Sequence, residues 1–300
     1  MKQKPDLSII IVSHNSHDFL RQTLNSLATQ KGVSYETIVV DNLSTDDTLS
    51  LLKSEYPEVK VIKRTTSVGF AAANNRGIKK ASAETILFMN PDISFITKTD
   101  LADCYKRLAG DTKIACLGPK VTLALTGEID ATAHRGFPTP FASFTHFSGL
   151  SRLFPNVAML NQYTKSYLGY DHEHEIDAIG GMFMMIKREA ADSIGWWDEE
   201  YDFYGEDLDL CYRLWQNNLM VLYYPSVTIK HYKGATTGMS SSSRSVTTAT
   251  ADKTRQVRRW SIQAMEIFYR KHYQEKYPFV VNQLVYLGIK ILYFIRVGLT

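Results

Sequence analysis

The sequence predicts an α/β fold, a mostly parallel sheet flanked by helices, and three observations predict it. Short apolar runs alternate with stretches of helical periodicity from Leu7 to Met89. The runs are continuous rather than alternating, as in strands covered on both faces. Several stop on polar residues, Asp41-Asn42 and Asn90-Pro91-Asp92 among them. In open α/β sheets the carboxyl ends of the strands are where ligands bind.

Leu7–Ser13 is the first strand, and Ser16 or Asn15 can cap the helix carrying Phe19, Leu20, Leu24 and Leu27. Tyr35–Val40 is the second strand. Ser44–Asp47 precedes a helix with Leu49, Leu51 and Leu52, and Val59–Lys63 is a third strand. Gly69–Ala81 is Ala-rich and helical, and Glu84–Met89 is the fourth strand. Pro91 cannot continue a central ladder, so Asp92 is delivered just past a strand end. Asp41 stands at an equivalent place. Its carboxylate can accept from a base N–H or a ribose hydroxyl, or it can simply shape the turn.

Lys113–Gly118 and Lys120–Leu125 read as two further strands. Phe137–Tyr170 is aromatic and without clean periodicity, so we expect an irregular insertion over one side of the site. Ile176–Ile186 contains Gly180-Gly181, a bulge or a close approach of ligand. Trp196-Trp197 and the Phe203–Leu210 stretch follow. Glu206 and Asp207 open a helix there, a place that stabilises carboxylates structurally but also suits a general base. Met220–Tyr224 and Val227–His231 are the last strands, and Gly238–Asp252 is a Ser/Thr-rich linker or lid.

The chain carries a net charge of only +3, but Lys253–Thr300 holds nine Lys or Arg against two Glu. This basic, aromatic, helical tail suits an anionic membrane surface, or a helix docked on the domain. Phe279–Ile295 is apolar but interrupted by Asn282, Gln283 and Lys290, so a spanning helix is not expected. The scattered cysteines (104, 116 and 211) and the polar Met1–Asp6 start lead us to expect a reducing cytoplasm and no signal peptide. No dinucleotide fingerprint supports an oxidoreductase.

Six segments in order resemble the inverting family 2 glycosyltransferases of the GT-A fold, in particular the bacterial rhamnosyltransferase-like branch. They are SIIIVSHN, IVVDNLSTDDT, SVGFAAANNRGI, ILFMNPD, IGGMFMMIKREAADSIGWWDEEYDFYGEDLDLCYRL and IKHYKGAT, spanning roughly residues 7–237. The resemblance implies a GT-A domain over 1–237 (insertion 137–170), a linker 238–252 and a tail 253–300. It implies a nucleotide side made of Ser13, Asn15, Asp41, Gly69, Asn74, Asn75 and Asn90. Asp92 takes the last position of the family's D-x-D motif, here Asn90-Pro91-Asp92, and holds Mg²⁺ or Mn²⁺ with His231. Asp207 is implied as general base, with Glu206 as the alternative, and Gly180, Gly181 and Trp197 as sugar contacts.

The implied reaction moves a sugar, L-rhamnose from dTDP-rhamnose first, to a saccharide or polyprenyl-linked acceptor, on the inner face of the plasma membrane. No nucleic-acid partner is expected, oligomeric state is left open, and a non-catalytic scaffold is the competing reading. Gln256-Val257-Arg258-Arg259-Trp260 also matches the Q-x-x-R-W signature of processive synthases, implying a basic contact to diphosphate or to the lipid-linked acceptor.

Overall fold

The structure, a computed structural model, describes residues 4–66, 69–234, 237–239, 247 and 249–298. Most of the stretch expected as a lid, 240–246 and 248, lies outside the described residues. In chain order the strands are β1 (Leu7–Ser13), β2 (Tyr35–Asp41), β3 (Lys60–Lys63), β4 (Thr85–Met89), β5 (Ile93–Phe95), β6 (Ile114–Leu123), β7 (His134–Arg135), β8 (His174–Glu175), β9 (Ala178–Ile179), β10 (Phe183–Lys187) and β11 (Met220–His231). The helices are α1 (His17–Ala28), α2 (Thr48–Glu55), α3 (Phe70–Ile78), α4 (Asp100–Ala109), α5 (Pro140–Phe147), α6 (Leu150–Leu153), α7 (Arg188–Ile194), α8 (Glu206–Gln216), α9 (Ala251–His272) and α10 (Phe279–Tyr293).

Among the described residues nine strands form one sheet, ordered β3-β2-β1-β4-β10-β6-β11-β5, with β8 added beside β11. β3, β2, β1 and β4 are mutually parallel. β10 enters antiparallel between β4 and β6, and β11 runs parallel to β6, so six strands point the same way. β7 and β9 form a separate two-stranded ribbon.

The continuous apolar runs follow from burial on both faces. Ile10, Ile38, Val40, Phe88 and Met184 point to one core with Trp197, Tyr201, Leu210 and Leu214. Ile9, Ile11, Val39, Leu87 and Met185 point to the other, against Leu20, Leu24, Leu51 and Leu101. The two-residue period of a strand divides the same runs between two cores.

Several expected boundaries differ. The segments expected as strands at 113–118 and 120–125 are one strand, β6, carried through Pro119. Likewise 220–224 and 227–231 are one strand, β11, with a register shift between Tyr224 and Thr228 that accommodates Pro225. Ile176–Ile186 breaks at Gly180-Gly181 into β9 and β10. The 137–170 insertion is not irregular. It holds α5, capped by Thr139 with Pro140 at its first position, then α6 and two single-turn helices.

The tail docks rather than trailing. Ala264, Ile267, Phe268, Tyr269 and Tyr273 of α9 belong to the same core as the sheet. His272 Nε2 meets Asp209 Oδ1 at 2.7 Å, and Arg270 and Lys271 pair with Glu200 and Asp198. Part of the basic charge is thus matched within the protein. α10 and the turn after it make one helical run, Phe279–Gly298, of 20 residues with mean hydropathy 1.5. That run is long and apolar enough to cross a membrane by length and composition alone.

Gly69 packs against the turn before α8. A Cβ there would sit 2.8 Å from the Cα and carbonyl oxygen of Asp202, whose carbonyl accepts from Phe70 N–H at 2.8 Å. Gly69→Ala is expected to cost roughly 1–3 kcal/mol in chemical denaturation. An unchanged midpoint would show that the 201–202 backbone yields freely.

Candidate active site

The carboxyl ends of β1, β4 and β11 and the amino end of β10 open on one cleft. Asn90, Pro91, Asp92, Gly181, Met182, Glu206, Asp207 and His231 line it. Cross-links at the strand ends hold the walls. Asn90 N–H donates to Met182 O at 2.9 Å, and Tyr232 N–H donates to Asp92 O at 3.1 Å.

On one wall Asp92 is buried, and its Oδ1 has no hydrogen-bond partner. His231 Nε2 lies 3.4 Å from it, beyond good hydrogen-bond geometry. His231 is itself braced from behind, with Nδ1 3.4 Å from Asp130 Oδ2. Asp130 also accepts from Lys233 Nζ at 2.6 Å and Thr132 Oγ1 at 2.6 Å. Burial works against charge on His231, yet the Asp92 and Asp130 carboxylates hold its imidazolium up to about 9.

An orphaned carboxylate oxygen beside an imidazole fits a divalent cation that takes its remaining ligands from a diphosphate and water. Among the described residues, no group of three or more His, Cys, Asp or Glu side chains forms a site that could hold a metal by itself. A cation here would therefore depend on the ligand it accompanies. Asp92 would hold it, and His231 could join only by giving up the imidazolium proton that Asp92 and Asp130 otherwise retain.

On the facing wall, Tyr204 and Gly205 both take left-handed backbone (φ 70° and 86°), turning the chain so that Glu206 and Asp207 start α8. Asp207 Oδ2 accepts from Arg135 Nη2 at 2.5 Å and from Gly181 N–H at 3.0 Å. Both donors come from the β7–β9 ribbon or just after it, where Arg135 pairs with Ala178. His134 anchors the ribbon by a ring contact with His174, Nε2 to Nε2, at 2.6 Å. Asp207 thus presents an oriented carboxylate to the cleft. Glu206 differs. Burial, and then the Asp207 charge, push its carboxyl up to about 8, so it is protonated at pH 7.

The Glu206 shift has a measurable sign. Between the ordinary value of 4.5 and about 8 the native state holds a proton that the unfolded chain has released. Stability therefore falls as pH rises through that window. Glu206→Gln is expected to raise Tm by roughly 3 °C or more at pH 8 and to leave it unchanged at pH 4. An equal gain at both would place the cause elsewhere.

The residues implied from sequence divide clearly. Asn90, Asp92, Gly181, Glu206, Asp207 and His231 meet in the cleft. Asp41 is buried behind Val12, His14 and Asn42, with Oδ1 unpartnered and Oδ2 accepting from Ser44 N–H at 3.2 Å. The others are occupied by the fold and do not line the cleft. Ser13 Oγ pairs with Ser16 Oγ at 2.6 Å, so Ser16 sits at the α1 cap without bonding it. Asn15 Oδ1 accepts from Thr45 N–H at 2.7 Å. Asn74 donates to Phe70 O, and Asn75 to Trp197 O at 2.8 Å. Gly180 lies under Met182, and Trp197 is a core residue edge-on to Phe70 and Phe88.

The cleft also holds residues the sequence reading did not single out as site residues. Thr132, Tyr204, Lys233, Lys253, Val257 and Trp260 line it, with Arg135 behind Asp207. Arg135 had no sequence signal, because a two-residue strand shows no periodicity. Of the Q-x-x-R-W match, Val257 and Trp260 face the cleft while Gln256 and Arg259 are exposed.

With this geometry described, comparison with known proteins is decisive. The model of the family described as "Glycosyl transferase family 2" matches residues 8–195, and that of "Glycosyl transferase family group 2" matches 127–297. The chain belongs to glycosyl transferase family 2. It is 26% identical over 250 residues to an N-acetylglucosaminyl-diphospho-decaprenol L-rhamnosyltransferase of Mycobacterium tuberculosis, covering 77% of this chain and 78% of that protein. It is 25% identical to the low-salt glycan biosynthesis hexosyltransferase Agl10 of Haloferax volcanii, over 72% of this chain and 64% of the relative.

Solved structures share the fold. One is GalNAc-T7 with UDP, GalNAc and Mn²⁺ (TM-score 0.57, 17% identity, 91% of this chain and 59% of that one). Another is S. aureus TarS 1-349 with UDP-GlcNAc (TM-score 0.54, 17% identity, 88% and 66%). This glycosyltransferase therefore has the mostly parallel sheet flanked by helices of the GT-A fold, closed by C-terminal helices.

Proposed function

We propose that this glycosyltransferase moves a sugar from a nucleoside diphosphate donor to a saccharide on a lipid carrier, with inversion, in cell-surface glycan synthesis. L-Rhamnose from dTDP-rhamnose is the first donor to test. The rhamnosyltransferase from Mycobacterium tuberculosis, similar over three quarters of the chain, supports it. One observation carries the reaction type: an oriented carboxylate, Asp207, and an orphaned one, Asp92, line the same cleft.

Asp207 accepts the proton of the acceptor hydroxyl as that oxygen bonds to the anomeric carbon. The carbon–oxygen bond to the diphosphate breaks on the opposite side, and the nucleoside diphosphate leaves with the electron pair. Arg135 and Gly181 N–H fix the carboxylate for that transfer. The cationic His231 and Lys233 bind and orient the diphosphate end, and Asp92 is placed to hold a cation against it. A divalent cation there, Mg²⁺ or Mn²⁺, would neutralise charge on the leaving diphosphate. The α9 wall, with Lys253 and Trp260 lining the same cleft as the acidic pair, faces the acceptor. The apolar, basic C-terminal helices would keep the enzyme at an anionic membrane face, where a lipid-linked acceptor resides.

The test is turnover with dTDP-rhamnose, UDP-hexoses, UDP-galactofuranose and GDP-sugars, each with Mg²⁺, Mn²⁺ or chelator. Release of dTDP above all others supports the rhamnose reading. Release of UDP or GDP instead keeps the reaction and replaces the sugar. No release from any donor contradicts it.

A further inference from the structure

We propose that the 137–170 insertion and the α10 helix form one continuous surface that lies on an anionic lipid bilayer. This rests on the membrane-side reading above and extends it to an element with no sequence link to the tail. The insertion exposes Phe141, Phe144, Phe147, Leu153, Phe154 and Met159. α10 exposes Phe279, Val280, Leu284, Leu287 and Ile291 along one stripe, continued by Phe294 and Ile295. The two segments, more than a hundred residues apart in sequence, meet where the Arg296 guanidinium lies over the Phe147 ring at 5.5 Å.

A soluble surface rarely leaves so many large apolar side chains together. Two observations identify lipid as what covers them. Neither 137–170 nor 279–298 contains a single Asp or Glu, although a chain with 31 in 300 would place about six in that length. The charges the two segments do carry are Arg152, Lys290 and Arg296, together with Lys165, which pairs with Asp177 outside them; burial, and then Arg152 and Arg296, disfavour protonation of His146. Apolar area with an all-cationic set of charges matches an anionic headgroup layer.

The opposite side of α10 stays on the protein. Asn282 Oδ1 accepts from Tyr269 OH at 2.5 Å, and Val285 and Tyr286 pack on the core. α10 is therefore held along the domain and enters the bilayer from its exposed side only. The 20-residue length that would allow a span is used lengthwise. The aromatic helices α5 and α6 then set a second line of contact, which fixes the tilt of the enzyme rather than only tethering it.

The experiment is co-sedimentation of the full chain with vesicles of phosphatidylglycerol and phosphatidylethanolamine, and with phosphatidylcholine alone. Phe144→Asp probes the insertion and Leu284→Asp probes α10. Ile96→Asp, at an exposed apolar residue of neither segment, is the control, and unchanged circular dichroism certifies folding. We expect the unaltered chain to favour anionic vesicles. Phe144→Asp and Leu284→Asp should each lower its partition coefficient by about tenfold or more, with Ile96→Asp unchanged.

If Leu284→Asp releases the protein while Phe144→Asp behaves like the control, the joint surface is wrong and the tail alone binds. If the unaltered chain ignores anionic vesicles, the membrane-side reading falls with it. If light scattering shows a dimer that both substitutions dissociate, the surface joins two copies and the proposal is overturned.

Discussion

Asp207→Asn is expected to lower kcat by roughly 10²–10⁴, with nucleotide binding retained. The amide keeps the shape of the side chain, so the N-terminus of α8 is preserved. What it removes is the capacity to accept a proton, and the counter-charge of Arg135. That guanidinium is buried, and the Asp207 carboxylate holds it charged. Losing one member of a buried pair leaves an uncompensated charge, at a typical cost of about 3–5 kcal/mol. The single variant should therefore be less stable as well as inactive.

The two losses can be separated. Asp207→Asn combined with Arg135→Met should regain much of the stability and none of the turnover, read by denaturation and by donor consumption. Arg135→Met alone leaves Oδ2 of the carboxylate with only Gly181 N–H, and Oδ1 with Leu208 N–H at 2.8 Å, to orient it. It should lower kcat more than it raises KM for the donor, as expected of a positioning residue. Near-normal turnover in Asp207→Asn would move the base to Glu206, its neighbour in the cleft.

Asp92→Ala is expected to weaken nucleoside diphosphate binding in the presence of Mn²⁺ by roughly a hundredfold, and to abolish the difference that Mn²⁺ makes. Calorimetry with dTDP, UDP and GDP, each with and without the cation, reads this without any turnover. The fold should survive, because the carboxylate oxygen being removed makes no hydrogen bond. His231 loses one counter-charge but keeps Asp130 at 3.4 Å. Unchanged Mn²⁺-dependent binding would place the cation elsewhere, with the carboxylates around His231 and Lys233 the first region to search.

The sequence made the strand ends legible for a physical reason. Continuous apolar runs ending on Asp41 and on Asn90-Pro91-Asp92 locate the carboxyl edge of a sheet buried on both faces. The acidic pair at 206–207 was legible because two carboxylates opening a helix are conspicuous. What could not be read was which polar groups the fold itself consumes. Asn74 and Asn75 sit in a small-residue helix that looked suited to phosphate, yet their amides satisfy carbonyls of Phe70 and Trp197.

Gly69 shows the same confusion: the backbone that approaches it is residues 201–202, not a ligand. Trp197 was the conspicuous aromatic beside the acidic motif. The tryptophan that borders the cleft instead, Trp260, comes from α9, more than fifty residues further along the chain. Arg135 was invisible because its importance lies in a long-range pairing, 72 residues from Asp207, that no local pattern encodes.

The claim at the centre of this account is a single displacement with Asp207 as base, and the anomeric configuration of the product tests it most directly. With whichever donor proves active, the one-bond carbon–hydrogen coupling at the transferred sugar's anomeric centre should report the configuration opposite to that in the donor. Retained configuration would require an intermediate or a front-side attack, and would contradict the assignment of Asp207.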